Sequence, residues 1–145
     1  VFDDCIHNSA HSNIRLGRRV ADLALGRVYG FDIACLCPDA REATRAADGL
    51  SISILFDNVA GDLQFEPRDP AYFPFLVTDA KGTVPVKEVK AGPAAVIVLK
   101  LDRALEGAAT VVGAPGTNPP IVVPQDVPGY RPMLAFTLPV APPAE

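Results

Sequence analysis

Tryptophan is absent from this 145-residue sequence, methionine occurs once, histidine twice and serine four times. Without tryptophan, any aromatic platform for a sugar ring has to be a tyrosine or a phenylalanine. The four serines are Ser9, Ser12, Ser51 and Ser53. None stands in the glycine-rich strand-to-helix turn that exposes a serine nucleophile, so serine-dependent chemistry would need its serine from elsewhere. Runs of one charge are also missing: no stretch of Lys or Arg exceeds two, and net charge is −4. Nucleic acid and anionic membrane are poor partners for such a surface. No apolar stretch approaches the roughly eighteen residues of a bilayer span, and no signal-peptide pattern opens the chain. There is no Asn-x-Ser/Thr site, so glycosylation says nothing about secretion. Three cysteines leave one without an internal partner. One residue separates Cys35 from Cys37, a spacing that strains an intrachain ring. Either the thiols are reduced or one is bridged to another segment.

What is present is a folding sequence. Hydrophobic residues make up 49% and charged residues 21%, the balance of a globular chain. Ser9 is a suitable N-cap for a helix running to Tyr29, with Gly30 as its stop. On a helical wheel Arg15, Arg18, Arg19 and Asp22 form one sector, a solvated face. Leu16, Val20, Leu23, Ala24 and Val28 lie opposite, with Ile14, Ala21 and Leu25 on the flank. So wide an apolar face suits a helix packed along a larger body. Gly17 and Gly26, costly inside a helix by about 1 kcal/mol each, imply close approach of neighbouring groups. Residues 31–49 show no sustained period and read as a connector, although the segment from Pro38 to Glu42 could start a short helix.

From Leu50 the pattern is strand and turn. Residues 51–56 alternate cleanly, with Ile52, Ile54 and Phe56 on one face. Further strands are expected at 63–65, 73–78, 84–89, 95–100, 110–113, 121–123 and 134–138. Asp79-Ala80-Lys81-Gly82 is a hairpin-like turn. Most of the fifteen prolines fall in this half, where edges and turns tolerate them and central strands do not. Short strands with turns at this spacing point to an antiparallel β-sandwich. The organisation is a motif-and-helix segment over 1–30, a connector over 31–49, a β-domain over 50–140 and a Pro-rich tail over 141–145.

The chemistry concentrates in Asp4-Cys5-Ile6-His7-Asn8-Ser9. An acid three positions before a histidine on a tight turn can fold back onto the imidazole Nδ1, fixing the tautomer and stabilising the imidazolium formed in acyl transfer. Spacing alone leaves open a surface histidine with an incidental acidic neighbour. Val1-Phe2-Asp3-Asp4 runs straight into this motif, as expected of an internal cut. His7 and His11 are four apart, but the helix begins between them and no third ligand is near, so metal is not expected. Cys35-Leu36-Cys37 lacks the Cys-x-x-Cys spacing of a redox pair. Asp57, Asn58 and Asp62 read as plain turns rather than a calcium loop.

Asp4-Cys5-Ile6-His7-Asn8-Ser9 followed by Leu16-Gly17-Arg18-Arg19-Val20-Ala21 resembles the last block of the SGNH (GDSL-like) hydrolases. The branch it is most similar to includes sialate O-acetylesterases and acetylxylan esterases. The acid, the isoleucine, the histidine, the hydroxyl two places on and the Leu-Gly-Arg-Arg are in register. Cys5 stands where the pattern favours glycine, and Asn8 replaces a large apolar residue or proline. The β-half is loosely similar to the β-rich domain that follows this helix in sialate O-acetylesterase-like proteins, in residues 50–56, Asn118-Pro119-Pro120 and 128–136.

The resemblance implies an α/β fold class: the C-terminal end of an SGNH-type, flavodoxin-like α/β hydrolase domain (the Asp-x-x-His loop and final helix), followed by the β-sandwich. It implies that Asp4 and His7 belong to a Ser-His-Asp triad, with His7 the general base. The activity would be that of a serine acetylesterase acting on a sugar or similar small acetylated substrate, with no cofactor and no metal. Serine nucleophile and oxyanion hole would come from a partner, an N-terminal chain of the same precursor. A secreted or otherwise extracytoplasmic location is expected. The alternative is a non-catalytic β-sandwich module binding carbohydrate or protein, with Tyr72, Phe73 and Phe75, or Tyr130, as aromatic contacts.

Overall fold

The structure, a computed structural model, describes residues 10–92, 95–116, 122–127 and 129–143. The chain divides into two compact units, Val1–Leu36 and Cys37–Glu145.

In the first unit the expected helix is present as α1, Ala10–Arg27. Gly30 has φ +75°, a left-handed conformation that glycine adopts without a Cβ clash and that commonly ends helices. The N–H groups of Val28 and Tyr29 donate to the Ala24 carbonyl at 2.9 and 3.1 Å, and that of Phe31 reaches back to Leu25 at 3.0 Å. Gly26 is a close-approach position, since a Cβ there would lie 2.7 Å from Cys35 Sγ. Gly17 is not one: the space around it is open. Ile14, Leu16, Val20, Leu23, Leu25 and Val28 are exposed, as are Tyr29, Phe31 and Ile33.

The second unit opens with β1, Asp39–Arg45, inside the stretch read as connector. Its sequence hides the strand because Ala43 is its one fully buried residue. Strand geometry is imposed by two neighbours: β2, Ser51–Asp57, pairs with it antiparallel, and β10, Phe136–Ala141, pairs with it parallel. Between these lie β3, Asp62–Gln64, β4, Phe75–Asp79, and β5, Gly82–Val84, followed by β6, Val86–Gly92. Then come β7, Val96–Leu101, β8, Thr110–Gly113, and β9, Gln125–Val127. A 3-10 turn, Pro70–Tyr72, leads into β4. The strand expected at 121–123 is displaced: Ile121 lies outside the described residues, Val122 and Val123 are not in a strand, and β9 forms just beyond them.

Eight strands form one sheet in the order β5-β4-β8-β10-β1-β2-β7-β6, and β3 pairs with β9 separately. The two edge strands of the large sheet, β5 and β6, are joined by Pro85 alone. A single residue spans only about 3.5 Å, so the sheet must curl until its edges meet. The result is a nearly closed, barrel-like sheet. Strand β10 is the seam: Phe136 to Pro139 pair with β8, whereas Val140 and Ala141 pair with β1. This places Pro139 in a central strand, against expectation. It sits where the β8 ladder ends and the β1 ladder begins, so the missing N–H falls at the handover.

Fold class therefore differs from the α/β, flavodoxin-like arrangement expected above. Among the described residues there is one α-helix and a mostly antiparallel set of ten strands. Parallel α/β sheets need crossovers of a dozen or more residues, usually helical, between adjacent strands. Here the one parallel pair, β1 with β10, joins strands from opposite ends of the unit. The expected sandwich is also modified, because its two halves are one continuous sheet through β10.

The buried hydrophobic cluster lies wholly in this unit. Ile52, Ile54, Ile97 and Leu99 are completely buried, each contributing about 1.5–3 kcal/mol relative to exposure. They alternate along β2 and β7, as the period-two pattern of residues 51–56 requires.

Candidate functional site

Asp4 and His7, together with Cys5 and Ser9, lie outside the described residues. What the structure does describe is the helix that follows them, which carries Leu16-Gly17-Arg18-Arg19 in its middle. Arg15 and Arg18 are exposed there, consistent with a solvated face. Ser51 and Ser53 are built into β2, paired with Lys100 and Val98 of β7. A serine in mid-ladder cannot present its hydroxyl at a strand-to-helix turn. Cys35 is a free, half-buried thiol. Among the described residues no three His, Cys, Asp or Glu side chains gather as a metal site. Asp57 instead pairs with Arg41 at 3.0 Å, Asn58 takes a left-handed φ of +60°, and Asp62 opens β3.

The aromatic candidates separate by burial. Phe73 and Phe75 are core residues. Phe65 meets both edge-on, at centroid distances of 6.0 and 6.5 Å, and Phe75 also packs with Phe136 at 6.4 Å. Neither Phe73 nor Phe75 can serve as a sugar platform. Tyr72 and Tyr130 are 62% and 55% exposed and remain eligible.

Tyr130 stands on an unusual support. Asp126 is fully buried and Arg131 is 5% exposed. The Arg131 guanidinium donates through Nε and Nη2 to Asp126 Oδ2 at 3.0 and 2.5 Å, and its backbone N–H donates to Oδ1 at 2.8 Å. The Ala60 N–H completes the carboxylate at 3.3 Å. Backbone bonds tie the same residues: Tyr130 N–H to Asp126 O at 2.8 Å, and Asp126 N–H to Arg131 O at 3.1 Å. Gly129 supplies the room, because a Cβ there would lie 2.9 Å from Arg131 Nε. Held this way, Tyr130 has φ +49°, a conformation that costs a bulky residue about 1–3 kcal/mol. In the sequence, residues 126–131 carry no pattern that pairs Asp126 with Arg131 in advance.

Elsewhere in this unit an open groove of about 860 Å³ lies beside the edge strand β6, lined by Phe65, Glu66 and Arg68 and by residues 87–91. Both of its lysines are paired: Lys90 meets Glu88 at 3.0 Å, and Lys87 meets Asp102, which does not line the groove, at 2.6 Å. The bulge in β6 between Val86 and Glu88 and its lysines are the usual protection of an edge against strand addition.

The remaining polar cluster is structural. Asp79, at the end of β4, accepts from Arg103 at 2.5 and 2.9 Å, and from the N–H groups of Glu106 and Lys81, each at 2.9 Å. Hydrogen bonding from Arg103 first, then from the Glu106 backbone, holds its carboxyl well below the ordinary carboxylate range, against the opposing effect of burial.

No protein-family model and no curated protein matches this chain. Solved structures do. A carbohydrate acetylesterase from Xanthomonas citri is similar over 92% of this chain, with a TM-score of 0.68 and 19% identity. The bacterial S-layer protein SbsC is similar over 74% of the chain, at a TM-score of 0.55 and 16% identity. Its N-terminal part is similar over 91%, at 0.54 and 16%. The chain spans 29% of the acetylesterase chain and 14% of the longer S-layer chain. At these identities the likeness is one of fold.

Proposed function

We propose that this chain is part of a carbohydrate-directed acetylesterase, in which Asp4 and His7 form the acid and base of a Ser-His-Asp triad of the SGNH kind. The reading is supported chiefly by the likeness, over 92% of the chain, to a carbohydrate acetylesterase. The register of the Asp4 to His7 block with Leu16-Gly17-Arg18-Arg19 adds to it. The nucleophilic serine and the oxyanion hole belong to a partner polypeptide, an N-terminal chain of the same precursor. Serine Oγ attacks the acetyl carbonyl while His7 takes its proton, with Asp4 orienting the imidazole and stabilising its charged form. The tetrahedral intermediate expels the sugar alcohol, which recovers that proton from His7. Water deprotonated by His7 then attacks the acyl-serine and releases acetate and free serine. An extracytoplasmic location accompanies this reading, since SbsC is a surface layer protein.

The test is His7→Ala in the assembled enzyme, which lowers kcat on an acetylated sugar by about 10⁴-fold or more. Near-normal turnover in that variant removes the assignment. A second reading is a non-catalytic β module that binds carbohydrate or protein, favoured by the likeness to the S-layer protein SbsC. A fluorophosphonate probe separates the two: labelling of a serine on a co-purifying chain supports the esterase, and inert material supports the module.

A further inference from the structure

We propose that the groove beside β6 binds an acidic oligosaccharide, with Arg68 taking the carboxylate of a hexuronate ring. The proposal rests on the reading of this chain as part of a carbohydrate-directed protein. Three observations converge. The first is charge: Arg68, Lys87 and Lys90 line the groove against Glu66 and Glu88, so cations are in excess there although the whole chain carries −4. The second is availability. Among the described residues Arg68 has no hydrogen-bonding, ionic or ring partner, and neither has Glu66. Lys87 and Lys90 are held by ion pairs whose side chains are about half exposed or more, contacts too weak to withhold either lysine from a ligand. The third is shape. A volume of about 860 Å³ lies in the range of small-ligand sites, and residues 87–91 run for about 14 Å at strand spacing, which suits a short run of linked rings.

The occupant follows from this chemistry. An arginine with no partner of its own offers a planar fork that meets a carboxylate through two parallel N–H donors. Glu66, two residues before it, is left to accept from ring hydroxyls. Phe65 and Phe73 also line the groove, but they pack on each other and recognition does not depend on them. An acidic peptide would bring carboxylates too. Its usual mode beside an edge strand is backbone pairing, which the bulge in β6 and the lysines there oppose.

The experiment uses the full 145-residue chain, labelled with ¹⁵N and titrated at low salt with hexagalacturonate, with cellohexaose and with hexaglutamate. Hexagalacturonate is expected to shift the amide signals of Arg68 and of residues 87–91, and to bind more weakly as salt rises. Arg68→Gln weakens that binding at least about tenfold, the scale of one charge-assisted contact. It melts with the parent, because no partner among the described residues is lost. Should it melt lower, Arg68→Lys carries the test, keeping the charge without the fork. Lys100→Gln removes a cation of β7 that does not line the groove and binds as the parent does. Undiminished binding by Arg68→Gln or Arg68→Lys overturns the proposal, and so does an equal loss in Lys100→Gln. A parent chain that does not bind hexagalacturonate, or that binds cellohexaose or hexaglutamate as tightly, overturns it as well. Binding by this chain needs no nucleophile. Failure here therefore leaves the esterase reading to be judged by His7→Ala and probe labelling.

Discussion

Asp79 shows how one carboxylate organises a corner of the molecule. It closes the β4–β5 hairpin through the Lys81 N–H and reaches across to Arg103 and Glu106, while Lys81 Nζ meets Glu106 at 2.6 Å. Because its folded pKa is depressed, its stabilisation is complete above the unfolded value of about 3.9. It is lost as pH falls below that value toward the folded one. Asp79→Asn should therefore melt lower than the parent by a constant interval between about pH 5 and 7, and the interval should narrow below about pH 4. Thermal melts of both proteins across that range check it, and a gap that widens toward acid would contradict the assignment. The hairpin itself is legible in Asp79-Ala80-Lys81-Gly82. Arg103 and Glu106 as partners are not, because more than twenty residues separate them from Asp79 and no local pattern links them.

Among the elements, the seam strand β10 makes a close contact with β8. Gly113 of β8 stands opposite both Phe75 and Phe136 in the ladders, and the Phe136 ring lies over it where a side chain would be, 2.6 Å from the position of a Cβ at Cδ1. That ring also meets Phe56 edge-on at 5.9 Å. An aromatic laid across a strand glycine restores the packing that the glycine lacks. Gly113→Ala must displace Phe136 and disturb both aromatic contacts, at a cost of about 1–3 kcal/mol. Denaturant unfolding measures it, and an unchanged midpoint would mean that the ring moves freely. Strand β2 is readable from the alternation of residues 51–56, and β7 from a short run of apolar residues. Strand β1 was not, since a single buried alanine leaves no period to detect, and its geometry comes from the partners on either side.

At the scale of the molecule, two units have very different contents. Among the described residues, all the fully buried apolar side chains belong to Cys37–Glu145, whereas the helix of Val1–Leu36 leaves its large apolar residues exposed. A fragment of residues 37–145 should fold alone, with a cooperative thermal transition and a full set of dispersed amide signals. A fragment lacking such a transition would show that the first unit is needed to complete the core. The nearly closed sheet gives a reason for autonomy, because its edges are brought together by Pro85 rather than left for a partner.

Local chemistry determined several things without help from the rest of the chain. Alternation at 51–56 set which face of that strand is buried, because side chains in a strand have a period of two. Gly30 set where the helix stops, because only a residue without Cβ takes that φ cheaply. Tertiary structure decided the rest. It joined the expected two sheets into one through β10, made a strand of β1, and replaced the expected α/β class by a mostly β one. It also buried Phe73 and Phe75 and paired Asp126 with Arg131. Each of these depends on pairing between residues far apart in sequence, where the free energy comes from contacts that no local pattern encodes.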